Sequence, residues 1–207
     1  MVAGGIVDSL KNPRVVVRSN AELLAMGSFK KGVVNWKQLA VTGFDPANNS
    51  LTLSDGSTAT YDVLVVNPGL QLRFDQIQGA QAALDDPSAP VGSMYYLEGA
   101  YKTSILREGF RGGNAVFTCP KFPIKCGGAP QKILYLSEST FRKNKVRDET
   151  KVQYYSATPI IFPPSDEFSA ALTEQCDGKG INKFLNHELV AVDKDNRVAT
   201  FKNLVNG

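Results

Sequence analysis

Cys126 is the residue of this sequence whose neighbours suit covalent chemistry. It shares a loop with Lys121 and Lys125 and is followed by Gly127, Gly128 and Pro130, the last a residue that fits the first turn of a helix. A thiol just upstream of a helix start meets partial positive charge, and two nearby ammonium groups add to it, so thiolate is favoured over thiol. Gly127 and Gly128 remove side chains beside the sulfur, leaving room for a flat ligand such as a cofactor ring, or for a second backbone. The same thiol also fits a small packing hydrophobe, as most intracellular cysteines are; its surroundings leave both readings open.

The remaining reactive side chains have weaker contexts. Cys119 and Cys126 form C-x6-C, a spacing at which a disulfide is geometrically thinkable, and Cys176 near a helix end reads as a packing or surface thiol. The three cysteines make no zinc spacing and no secreted disulfide framework, so no metal is expected and a reducing compartment is the default. His187, the single histidine, opens a β-rich run and reads as structural. Lys132 reads as a solvated helix residue or as a partner for an anionic sulfur species near Cys126.

The elements that must position Cys126 are legible on either side of it. Residues 114–118 are short and apolar, bounded by Gly112-Gly113 and Pro120, as a buried strand would be. From Pro130 the helical period turns Ile133, Leu134, Leu136 and Phe141 inward and Gln131, Lys132, Glu138 and Arg142 toward water. Strand, loop and helix make the first half of a βαβ unit, whose strand-to-helix turn is where α/β proteins keep their chemistry. The loop between carries prolines and cysteines instead of G-x-G-x-x-G, so a nicotinamide cofactor is not expected there.

Residues 113–143, above all Ile124-Lys125-Cys126-Gly127-Gly128-Ala129-Pro130-Gln131-Lys132 and Leu134-Tyr135-Leu136-Ser137-Glu138, resemble the mitochondrial-type sulfide:quinone oxidoreductases. These are flavoproteins with two dinucleotide-binding-type domains and a redox cysteine in a V/I-K-C-x-G-A-P-Q-K segment. The likeness extends more loosely over nearly the whole chain. It implies an α/β fold in which residues 1–93 are a remnant of the FAD-binding domain, a β-hairpin segment, and residues 94–207 a second Rossmann-like domain. It further implies FAD as cofactor, Cys126 as catalytic thiol, and flavin contacts at the backbone of Val41, on the adenine side, and at Gly69, which borders the flavin. Asn67-Pro68 before Gly69 departs from the small-residue turn of many relatives; taken alone, Val41 is a strand residue and Gly69 a tight turn.

The implied reaction is oxidation of hydrogen sulfide through a cysteine persulfide. The sulfane sulfur passes to an acceptor such as glutathione or sulfite, and the electrons pass through FAD to ubiquinone. The implied setting is peripheral association with the mitochondrial inner membrane. The family's partner cysteine falls beyond Gly207, and Met1 falls after the segment bearing the flavin phosphate loop, so the chain reads as an internal fragment. The competing expectations are an inactive partial domain and a related flavoprotein such as a type II NADH dehydrogenase, against which the glycine-poor loop argues.

Composition agrees with a globular α/β protein: 43% hydrophobic residues and a net charge of +3 from dispersed basic and acidic residues, which suggests no nucleic-acid stripe. No apolar run approaches the roughly 20 residues that cross a bilayer, and residues 1–30 show neither a presequence pattern nor a secretory one. In chain order, a strand is expected at 15–17 and a helical pattern at 21–26. β-rich runs at 33–44, 51–53 and 58–66 form an antiparallel hairpin leading into a core strand at 63–66. Residues 73–93 read as a polar surface crossover, and Leu97, Ala100, Tyr101, Ser104 and Ile105 as a helix stripe. A charged surface turn at 142–150 precedes a parallel strand at 152–156. Ser165 opens a helix whose Phe168, Ala171 and Leu172 face the core, and strands follow at 182–185, 187–192 and 197–201.

Overall fold

A computed structural model describes residues 35–207; the strand and helical pattern expected at 15–17 and 21–26 lie outside the described residues. The chain divides between Gly69 and Leu70 into two compact units.

In the first unit, β1 (Val41–Asp45), β2 (Ser50–Leu53) and β3 (Thr58–Thr60) form an antiparallel sheet in that order. The turns that close it follow from their side chains. Asp45 caps a 3-10 turn by accepting from Asn48 N, and Asn49 takes the left-handed conformation that ends it. Asp55 accepts from the backbone and hydroxyl of Ser57 in the second turn. Residues 63–66, expected as a core strand, have no regular structure, and Val63 and Val65 are 82% and 83% exposed. A β-rich composition makes a strand only where a ladder partner and a covering layer exist, and the described residues supply neither for this run.

The second unit has the expected α/β order. It runs through α1 (Ala80–Asp85), α2 (Leu97–Gly109), β4 (Gly113–Cys119), α3 (Ala129–Lys143), β5 (Thr150–Ser156), α4 (Asp166–Gly178) and β6 (Asn182–Leu185). A ribbon of β7 (His187–Asp193) and β8 (Val198–Asn203) completes it. β4, β5 and β6 are parallel neighbours in sequence order, and right-handed crossovers then put α3 and α4 on one face. Between them lies the core of Ala115, Leu134, Phe141, Val152, Tyr154, Ile161 and Cys176. On the opposite side of β5, Tyr155 stacks on Phe184 at 4.4 Å and on Phe201 at 3.8 Å, which seats the β7–β8 ribbon.

Residues 73–93 are more than a crossover. Ala80, Ala83 and Leu84 of α1 are buried, and Gln78 bridges to β7 through Gln78 N to Val190 O at 3.0 Å and Val192 N to Gln78 O at 2.8 Å. Gly79, with φ +73°, makes the turn between bridge and helix; a Cβ there would lie 2.2 Å from the Val192 carbonyl oxygen, so only glycine fits. The inward faces of two helices also differ from the periodic expectation. In α2, Gly99, Ala100 and Ser104 are buried while Ile105 is exposed; in α4, Ser169 and Cys176 are buried while Phe168 and Ala171 are exposed. In both, the close-packed side is lined by small residues, and the large apolar ones lie at its edge or outside.

Candidate active site

β4 ends at Cys119, the loop runs through residues 120–128, and α3 begins at Ala129 with Pro130 in its first turn. Cys126 therefore lies at the carboxyl end of the parallel sheet and just before a helix start. Its carbonyl accepts from Ala129 N at 3.2 Å, and its side chain is in an exposed residue. Gly128, the residue before the helix, offers no side-chain cap; Ala129 N is engaged by the Cys126 carbonyl and Pro130 has no N–H, so the positive charge met by Cys126 is that of the dipole of α3 and not of a set of free amides.

The two lysines expected to assist the thiol have partners of their own. Lys121 Nζ pairs with Glu188 at 2.6 Å, and Lys125 Nζ donates to the Tyr95 carbonyl at 3.1 Å. The room expected beside the sulfur is also partly filled from within. A Cβ on Gly127 would stand 3.3 Å from the Phe122 ring and 3.6 Å from Pro164, and one on Gly128 would stand 4.0 Å from Phe162. The absence of side chains at Gly127 accommodates Phe122 rather than holding open a slot.

The other thiols are buried and free. Burial pushes the Cys119 thiol up from its ordinary value, with Tyr154 and Ser156 partly opposing it. Burial likewise raises Cys176, whose sulfur lies 3.3 Å from the Tyr135 hydroxyl. His187 places Nδ1 2.7 Å from the Leu185 carbonyl and meets Tyr155 and Phe184 edge-on, the structural role expected of it. Lys132 is exposed. No group of three His, Cys, Asp or Glu suited to a metal occurs among the described residues.

Two polar residues of α3 overturn the expectation that they face water: Gln131 and Glu138 are buried. The Gln131 amide donates to the Ile161 carbonyl. Glu138 accepts from Arg142, from Arg147 Nε at 3.3 Å and from Lys179 Nζ at 3.5 Å. The helical period points position 138 inward alongside Leu134 and Phe141, and a carboxylate is tolerated there because Arg142 of the same helix and Arg147 and Lys179 from beyond it converge on it. Arg147, read as part of a surface turn, also donates to the carbonyls of Thr150, Lys179 and Gly180.

Val41 and Gly69 belong to the first unit. Val41 opens β1 opposite Leu53, with a bulge between it and Gly43, and is 43% exposed. Gly69 has φ +78° with nothing within 4 Å of a Cβ built on it, so its backbone is open to close approach. Both positions could therefore meet the edges of a flavin. No G-x-G-x-x-G occurs in the 207 residues, so a diphosphate finds no such cradle in them.

No family model matches this chain. Among curated proteins it is similar to the mitochondrial sulfide:quinone oxidoreductases of three organisms. The identity is 37% over 169 residues in Schizosaccharomyces pombe (81% of this chain, 37% of that protein). It is 35% over 168 residues in Dictyostelium discoideum (81% and 36%) and 33% over 186 residues in Mus musculus (90% and 39%). The chain thus spans less than two-fifths of the length of these relatives. Among solved structures, the sulfide:quinone oxidoreductase of Aquifex aeolicus has a similar fold, with TM-score 0.70 and 16% identity over 97% of this chain and 46% of that one. The water-forming NADH oxidase of Lactobacillus brevis follows with TM-score 0.58, 16% identity, and coverage of 97% and 41%. Over most of its length, this chain is similar in sequence to the mitochondrial sulfide:quinone oxidoreductases.

Proposed function

We propose that these residues form the thiol-bearing part of a FAD-dependent sulfide:quinone oxidoreductase, with Cys126 as one of its two redox cysteines. The observation that carries the reading is that, of three thiols in a chain related to such enzymes, Cys126 is the exposed one, on the strand-to-helix loop at the carboxyl end of the parallel sheet. In this reading residues 94–207 correspond to the second Rossmann-like domain of that enzyme and residues 1–93 to part of its flavin domain, with residues 70–93 packed in the same compact unit as the second domain. The parent protein works at the mitochondrial inner membrane as a peripheral protein.

In this scheme HS⁻ attacks a disulfide joining Cys126 to a cysteine supplied from outside these residues. The S–S bond breaks, one cysteine keeps the incoming sulfur as a persulfide, and the other leaves as thiolate. Transfer of the outer sulfur to sulfite or glutathione leaves two thiols, whose return to the disulfide releases an electron pair. FAD, when bound, supplies the two-electron acceptor, with ubiquinone beyond it. The backbone at Val41 and Gly69 would meet the adenine side and the ring edge of that cofactor. The test is Cys126→Ser in the full-length flavin-loaded protein. Sulfide-dependent quinone reduction is expected to fall by roughly a thousandfold with flavin content unchanged; an unaltered rate overturns the assignment.

The 207-residue chain by itself is expected to behave differently. A helix N-terminus with a glycine-rich turn supplies much of the anchoring of a dinucleotide phosphate, and this sequence has no G-x-G-x-x-G. The purified chain should be colourless after gel filtration and should reduce no soluble quinone with sulfide, even with flavin added. Stoichiometric flavin absorbance in the protein peak, or sulfide-driven quinone reduction, would show that these residues are sufficient for the chemistry.

A further inference from the structure

We propose that Tyr95 is a positioning residue for Cys126, holding the loop that carries the thiol against the residues leading into α2. The inference deepens the reading of Cys126 as the sulfur-accepting thiol and rests on it. Two contacts run in opposite senses between the segments. The Tyr95 carbonyl accepts from Lys125 Nζ at 3.1 Å, and the Tyr95 hydroxyl donates to the Cys126 carbonyl at 3.5 Å, the outer limit of such a bond. One residue thereby engages two successive residues of the loop.

The second contact has a consequence for the thiol. The Cys126 carbonyl also accepts from Ala129 N in the first turn of α3, so it is held from the helix on one side and from Tyr95 on the other. Donors on both sides of that carbonyl restrain the peptide plane that follows Cys126, so ψ and χ1 of Cys126 are what set the direction of the sulfur. The negative end of the carbonyl dipole is occupied by two donors rather than facing the thiol unshielded. Burial, and after it the negative charge that Cys119 and Cys126 carry when ionised, pushes the Tyr95 phenol well above its usual range. It therefore stays protonated, and remains a donor, throughout the interval in which thiols ionise.

Tyr95→Phe separates this role from packing, because it keeps the ring and the backbone carbonyl that receives Lys125 and removes the hydroxyl. The readout is the iodoacetamide rate of each cysteine in the 207-residue chain, followed by peptide mapping across a pH series. The expected result is a rate at Cys126 lowered about threefold to tenfold at neutral pH, the size of one hydrogen bond. Its rate–pH profile should be displaced, with Cys119 and Cys176 still protected. A Cys126 profile superimposable on that of the unmodified chain overturns the inference. So does a variant in which Cys119 and Cys176 become reactive together with Cys126, since Tyr95 would then be a packing residue. If Cys126 is not the fast thiol even in the unmodified chain, the reading of Cys126 itself fails, and this is seen before any variant is made.

Discussion

Iodoacetamide will modify the folded chain at Cys126 about a hundredfold faster than at Cys119 or Cys176. Cys119 and Cys176 are buried, at 3% and 0% exposure, whereas Cys126 is in an exposed residue. A reagent reaches a core thiol only when the structure opens locally, and an opening that costs about 3 kcal/mol suppresses the rate by about two powers of ten. Ionisation adds in the same direction. Burial raises both core thiols above their ordinary value, so at neutral pH each has less of the reactive thiolate than a free cysteine has, and their rates climb only toward alkaline pH. Cys126→Ser should remove the fast phase and leave the slow ones. Should Cys119 or Cys176 react as fast in the folded protein, the physical case for Cys126 would be lost and the homology alone would remain.

Glu138→Ala should cost about 3 to 5 kcal/mol of folding stability, the range for removing one member of a buried ion pair. The carboxylate is fully buried and binds Arg147, whose side chain is 13% exposed, together with Arg142 and Lys179. Arg142 is half-exposed and can turn to water when its partner goes, so it contributes little. Arg147 cannot, because its other nitrogens are committed to the carbonyls of Thr150, Lys179 and Gly180. Glu138→Gln keeps the volume and one acceptor and should cost less. The measurement is the shift of the urea midpoint at constant m-value; a loss below about 1 kcal/mol for Glu138→Ala would mean that water already satisfies Arg147.

The strand, loop and helix around Cys126 are legible in the sequence because small residues and prolines mark their ends: Gly112-Gly113, Pro120 and Pro130 bound runs whose apolar spacing fits one element each. The Ser165 cap and the turns at Asp45 and Ser54 are legible for a related reason, since a side chain satisfies its own local backbone. What escapes such a reading depends on distant partners. Nothing near Glu138 in sequence announces Lys179, and nothing near Lys121 announces Glu188. Helical periodicity places position 138 on the inner face, but polarity argues for water; Arg142 is one turn away in the helix, and the conflict is settled by adding Arg147 and Lys179, which the helix does not contain. The same holds for residues 63–66, where composition favours a strand and the described residues offer nothing for it to pair with. Tyr95 gives no signal at all: its importance lies in where the chain brings the loop of Lys125 and Cys126, thirty residues on.

The bridge between Gln78 and β7 makes the second unit late to close. Residues 74–92 are made first, yet the strand on which Gln78 and α1 rest comes after the whole of the parallel sheet. A contact of such sequence separation is expensive in loop entropy and is gained only after the intervening elements have shortened the path. During synthesis the buried face of α1, Ala80, Ala83 and Leu84, has no cover from β7 until the ribbon has emerged. The β4–α3–β5 segment, by contrast, is built from neighbours in sequence and can assemble as soon as it is free. The loop of Cys126 is thus shaped on a scaffold that forms early, while the strap between the start of the unit and its final ribbon is fastened last.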